Sequence, residues 1–212
     1  MVKFPHVSRL ACEAAGIARV NTIPTNALDG GHLLKYRSVN FPAGGTSAST
    51  TWRTWFISQQ YDCDASEMVG TGDESVYTIL NFIDIALRTL HDANVVHCDV
   101  KPQNFFCNDA ITEVVLGDFG SCVAQGEAVC YRSRLYTVHE WLDDAAHIRM
   151  DWAALILSGL TFVGRYPADV FDDSYPTFLQ VQNAVIHLEN DDMPQSVAMI
   201  RQLHETHFQG IL

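Results

Sequence analysis

Residues 150–163, MDWAALILSGLTFV, are apolar on nearly every side. Wound as a helix, such a stretch has no face to give to water and must be enclosed by the rest of its chain. It is too short to cross a bilayer, and no window comes near the ~18 uninterrupted apolar residues a membrane span needs. The remainder of the 212 residues therefore has to build a shell around it, and an apolar share of 48% suffices for one sizeable core or two small lobes. Upstream, ESVYTILNFIDIALRTLHDANVV (74–96) repeats apolar residues at Val76, Ile79, Leu80, Ile83, Leu87 and Leu90, which is one face of a long helix. Downstream, PTFLQVQNAVIHL and PQSVAMIRQLHETHF supply two more helices.

The N-terminal part reads differently. RLACEAAGIARV (9–20) is helix-like, and HLLKYRSVNF (32–41) is apolar and strand-like. PAGGTSASTT (42–51), rich in glycine and hydroxyl residues, is the candidate boundary between two lobes, and TTWRTWFISQQ after it reads as a helix start. The expected division is a small mixed unit over 1–45 and a mainly helical one over 46–212.

Thirteen Lys and Arg stand against 25 Asp and Glu, a net charge of −12, which disfavours nucleic acid as a partner and would steer basic peptides or basic protein surfaces toward the chain. The six cysteines form no C-x-x-C pair, so neither a zinc knuckle nor a disulfide framework is indicated, and reduced thiols are expected. MVKFPHVSRLACEAAG lacks the apolar core and cleavage site of a secretory signal, so a cytoplasmic, non-membrane protein is expected.

Between the long helix and the next apolar run lies VVHCDVKPQNFF (95–106), with His97, Asp99, Lys101 and Asn104 close together. Two short strand candidates follow, NFFC (104–107) and EVVLGD (113–118), and Asp118 opens the triplet DFG. Each residue type has a physical task if a nucleotide phosphate is transferred. Asp99 can take the proton of an attacking hydroxyl, and Lys101 can neutralise charge on the moving phosphoryl group. Asn104 and Asp118 offer hard oxygen ligands to a magnesium ion bridging the phosphates.

In these two motifs the chain resembles the eukaryotic-type protein kinases, whose catalytic loop HRDxxxxN appears here as HCDVKPQN and whose metal-binding DFG is unchanged. The lysine two places after the aspartate is similar to the serine/threonine-specific branch. The resemblance implies an α+β, protein-kinase-like fold with a reduced N-terminal lobe and a mainly helical C-terminal lobe. It implies transfer of the ATP γ-phosphate to a protein hydroxyl, with ATP and Mg²⁺ as cofactors. It also implies a structural role for Glu140 in TVHEWL, at the end of an activation segment running from Gly120, and for Asp151 at the start of the enclosed helix. Ser121, Ser133, Tyr136 and Thr137 are hydroxyl residues of that segment.

The family also needs a strand lysine paired with a helix glutamate; Lys3 and Glu13 are the assignment here, and Lys35 is the rival. With Lys3 in that role the phosphate-covering glycine loop has no counterpart, since neither Gly30-Gly31 nor Gly44-Gly45 carries the G-x-G-x-x-G spacing, and weak nucleotide binding is expected. Cys98 stands where many kinases carry an arginine that grips a phosphorylated activation segment, so switching by such phosphorylation is not expected. The small size matches trimmed kinases of viruses and of bacterial effectors. A pseudokinase or decoy that binds a partner kinase or its substrate is the alternative reading, and a small-molecule phosphotransferase is a third. The histidines read as structural and the four tryptophans as core anchors rather than base-stacking platforms.

Overall fold

The computed structural model describes residues 7–23, 32–41, 53–68, 70, 72–142, 144–164 and 177–206. Among them the elements run α1 (Val7–Asn21), β1 (Tyr36–Phe41), β2 (Arg53–Ser58), β3 (Cys63–Asp64), α2 (Asp73–Asp92), β4 (Val95–Val96), β5 (Phe105–Cys107), β6 (Val114–Leu116), β7 (Val123–Ala124), α3 (Ile148–Phe162), α4 (Phe178–Glu189) and α5 (Met193–Thr206). No helix among the described residues is long and apolar enough to cross a membrane.

The enclosed helix is α3, in which every residue from Met150 to Phe162 is buried. It starts where His147 accepts the Arg149 backbone N–H at 3.2 Å, a side-chain cap for an otherwise orphaned donor. One wall of its shell is α2, whose Val76, Ile79, Leu80, Ile83, Leu87 and Leu90 are all at most 1% exposed. Each contributes about 1.5–3 kcal/mol by leaving water. The other walls are α4, entered through a Thr177/Gln180 capping box, and α5. At the closest approach sits Gly159, where an added Cβ would lie 2.6 Å from Ile200 Cδ1 and 3.3 Å from Leu80 Cδ1. This layered α+β arrangement is the kinase-like fold class expected from the motifs.

One helix reading is overturned. Residues 53–58 form β2, paired antiparallel with β1 in a register from Tyr36↔Ser58 to Phe41↔Arg53. Thr54, Trp55, Phe56 and Ile57 are strand formers, which suits this stretch to the ladder with β1 rather than to a helix. The boundary segment 42–51 lies outside the described residues. Of the tryptophans, Trp152 is buried and Trp141 half-buried.

The remaining sheets position the polar loop. β5 pairs antiparallel with β6 and with β3, and residues 32–34 run parallel to β6, with Leu34 N–H donating to Leu116 O at 2.8 Å. β4 pairs with β7. The stretch 97–104 therefore leaves one sheet and enters another, and Gly117–Cys122 does the same in the opposite direction.

Candidate active site

Asp151, at the first turn of α3 and 1% exposed, organises the polar loop from behind. Its Oδ2 accepts the His97 backbone N–H at 2.8 Å, its Oδ1 accepts the Cys98 N–H at 2.8 Å, and His91 Nε2 lies 2.9 Å from Oδ2. These bonds hold Cys98 at φ 65°, a left-handed conformation costly for a residue with a side chain. Cys98 is buried, its thiol donating to Val96 O at 3.6 Å, and burial with the nearby Asp151 pushes it well above the ordinary thiol range. It has no positive charge to offer a phosphate.

His97 is fully buried and behaves as a strut. The Asp99 N–H donates to its Nδ1 at 3.3 Å, so that nitrogen is the acceptor and Nε2 carries the proton, donated to Gly117 O at 3.1 Å. One ring thus ties the polar loop to the residue before Asp118. Asp118 is itself left-handed (φ 60°, ψ 65°), and its N–H donates to the Tyr36 hydroxyl at 3.0 Å. Phe119, 1% exposed, packs edge-on against both His97 and Tyr36.

Lys101 Nζ donates to Asp99 Oδ2 at 2.7 Å and to Ser133 Oγ at 2.8 Å. Asn104 Nδ2 donates to the Asp99 carbonyl at 2.7 Å and lies 3.4 Å from Asp99 Oδ2, while the Asn104 carbonyl accepts the Gly117 N–H at 2.9 Å. Asp99 Oδ1 is buried and has no hydrogen-bond partner. An unused carboxylate oxygen held behind a lysine is an acceptor kept in reserve, because a purely structural aspartate would be expected to satisfy both oxygens.

Lys101, Asn104 and Asp118 line one cleft of about 880 Å³, together with Leu34, Tyr36 and Asp64. Its volume falls in the range of small-molecule and cofactor sites. Asp99 lies one side chain behind the wall and meets the cleft through Lys101 Nζ. With Nδ2 committed to Asp99, the Asn104 amide oxygen is the atom left for the cleft, and it joins the Asp118 carboxylate as a second hard oxygen. That pair suits Mg²⁺, which keeps several waters and binds through one or two protein oxygens plus phosphate.

Of the expected site residues, Lys101, Asn104 and Asp118 line the cleft and Asp99 contacts Lys101 behind it. Lys3 lies outside the described residues. Glu13 is on α1, whose Gly16 sits against the Phe119 carbonyl. The rival Lys35 is exposed and does not line the cleft. In the sequence Ser133 is only one hydroxyl of the activation segment; its bond to Lys101 joins residues 32 positions apart, and no local pattern announces it. Glu140 has the structural part expected of it, accepting the Phe178 N–H at 2.9 Å and so capping α4.

Residues 62–150 match the protein kinase domain family. Serine/threonine-protein kinase D3 of Mus musculus is 29% identical over 149 residues, covering 64% of this chain and 16% of that protein. Serine/threonine-protein kinase dkf-2 of Caenorhabditis briggsae is 28% identical over 150 residues, covering 64% and 12%. Serine/threonine-protein kinase D2 of Rattus norvegicus is 32% identical over 114 residues, covering 50% and 13%. The matched stretch spans about a sixth or less of the length of these relatives.

Proposed function

We propose that the chain, whose residues 62–150 match the protein kinase domain family, is a protein kinase that transfers the γ-phosphate of ATP to a serine or threonine hydroxyl of a protein. The observation that carries this reading is the Lys101 bridge from Asp99 Oδ2 to Ser133 Oγ, with Asp99 Oδ1 left unpaired behind it. An acceptor hydroxyl entering beside Lys101 comes within one side chain of Asp99, which orients it and takes its proton. Lys101 neutralises charge as it develops on the transferred group, and a preformed donor in that place costs no reorganisation during reaction. Asn104 and Asp118 would hold the Mg²⁺, which screens the phosphate charge when bound.

An acidic chain with this cleft favours acceptors set in basic sequence. The alternative, a kinase-like protein that docks on a partner kinase or its substrate, is favoured by Cys98, which stands where many kinases carry the arginine that grips a phosphorylated activation segment.

The test is thermal melting with and without MgATP, wild type beside Asp118→Asn, followed by phosphate transfer to a basic serine peptide. A magnesium-dependent rise in melting temperature, lost in the variant and accompanied by transfer, is the expected result. No rise at millimolar MgATP overturns autonomous catalysis and favours docking.

A further inference from the structure

Ser133 opens the short 3₁₀ turn Arg134–Tyr136, a position where a serine hydroxyl commonly serves as a cap, yet its side chain makes no cap bond. The Ser133 carbonyl accepts the Tyr136 N–H at 2.9 Å and the Thr137 hydroxyl at 3.0 Å, so the backbone is held without the side chain. The hydroxyl turns instead to Lys101, whose Nζ donates to it at 2.8 Å and to Asp99 Oδ2 at 2.7 Å. Ser133 is half-buried and lines the same cleft of about 880 Å³ as Lys101, Asn104 and Asp118. A hydroxyl bonded to Lys101, one nitrogen away from Asp99 and on the wall of the cleft stands where transfer needs its acceptor, and it belongs to the chain itself.

We propose, resting on the kinase reading above, that the chain phosphorylates its own Ser133 and that the phosphoserine then closes the site to other acceptors. Ser133 Oγ forms a bond to the γ-phosphorus of ATP as the bond from that phosphorus to the β–γ bridging oxygen breaks. ADP leaves with the electron pair of the broken bond, and the hydroxyl proton passes to Asp99. The product carries a charge of about −1.5 to −2 at pH 7 and three acceptor oxygens beside Lys101 Nζ. A phosphate held by the catalytic lysine consumes the group that transfer needs and fills the acceptor place, so the modification switches activity off. It differs from the gripped, activating segment that Cys98 argues against, because the cation that answers it is Lys101.

The other hydroxyls between Gly120 and Glu140 are placed differently. Ser121 is 5% exposed and does not line the cleft. The Thr137 hydroxyl is used on the Ser133 carbonyl, and that of Tyr136 meets Thr161 Oγ1 at 3.3 Å in the core. Tyr131 lines the cleft but meets Lys101 with its ring, whose centroid lies 5.8 Å from Nζ. Among these five, Ser133 alone joins a bond to Lys101 with a place on the cleft wall.

The full chain is incubated with MgATP at several protein concentrations, then digested and mapped by mass, while transfer to a basic serine peptide is followed in parallel. The expected result is phosphate on Ser133, at a rate independent of protein concentration, with peptide transfer falling by about 10²-fold as the modification completes. Ser133→Thr keeps a hydroxyl and should be modified at the same place. Ser133→Ala and Asp99→Asn should carry no phosphate there, and peptide transfer by Ser133→Ala should hold its starting rate through the incubation. Transfer to the peptide with Ser133 unmodified overturns the inference and leaves the kinase reading standing, whereas no phosphate on either removes both. Modification that speeds up with protein concentration also overturns it, because one chain is then acting on another. So does modification that survives Asp99→Asn, or a chain phosphorylated at Ser133 that still transfers at the unmodified rate.

Discussion

Replacing Asp151 by alanine should cost more stability than any other single change to the polar loop's supports. The side chain accepts two backbone N–H groups, from His97 and Cys98, and contacts His91 Nε2, all at 2.8–2.9 Å in a site 1% exposed. Removing it strands two buried backbone donors, at about 1–3 kcal/mol each, and takes away the His91 partner. Deleting a buried charge returns part of that, because the carboxylate was itself costly to desolvate. The net expectation is a loss of about 4 kcal/mol, against a total of about 5–15 kcal/mol for an ordinary domain. With a urea slope of about 2 kcal/mol per molar, the midpoint should fall by about 2 M at unchanged slope. Fluorescence-monitored urea unfolding of wild type and Asp151→Ala measures this directly. A loss under about 1 kcal/mol would refute the reasoning, since it would mean that Cys98 keeps its left-handed conformation without the carboxylate.

Asp99→Asn should separate activity from stability: phosphate transfer falls by about 10²–10⁴-fold while melting falls far less than in Asp151→Ala, because the asparagine oxygen can still accept from Lys101 Nζ in place of the lost ion pair. A variant that transfers at the wild-type rate would remove Asp99 from the mechanism. Gly16→Ala should destabilise by more than about 3 kcal/mol, since the new Cβ would lie 1.8 Å from the Phe119 carbonyl oxygen and the helix must lift away; near-wild-type melting would show that α1 is not seated there. Tyr61 is raised to about 12 by burial first and by its 3.0 Å bond to Glu113 second. Raised above its unfolded value of about 10, it contributes stability that is full below pH 10 and lost as pH climbs through 12. Absorbance titration should show a late tyrosine component that moves toward 10 but does not reach it in Glu113→Gln.

How much of this was legible in the sequence depends on the range over which each signal acts. The faces of α2 and the all-apolar α3 were readable because a helix repeats its environment every three or four residues, and burial follows that repeat. The catalytic candidates were readable because His97 through Asn104 lie within one turn-sized stretch and Asp118 follows a short hairpin. β2 was not, since its strand character comes from pairing with β1, and nothing inside TWRTWFIS states that a partner is waiting. Asp84 was hidden for a related reason: it sits on the buried face of α2, where its period predicts an apolar residue, and is accommodated by Arg88 at 2.8 Å and Trp152 Nε1 at 3.2 Å.

The long-range bonds decide what the local motif can do. HCDVKPQN by itself only collects suitable side chains; Asp151, 52 positions after Asp99 in sequence, sets the backbone on which Asp99 is aimed, and Ser133 sets where Lys101 points. His97 then carries that geometry onward to Gly117, and so to Asp118, through the single tautomer its two bonds permit. The two halves of the motif are therefore one rigid assembly, and a change at either end should be felt at the other. His97→Phe keeps the ring volume and removes both bonds, so it should lower transfer and loosen Asp118 while leaving the α2–α3 core intact, a pattern that hydrogen exchange at Gly117–Phe119 would reveal.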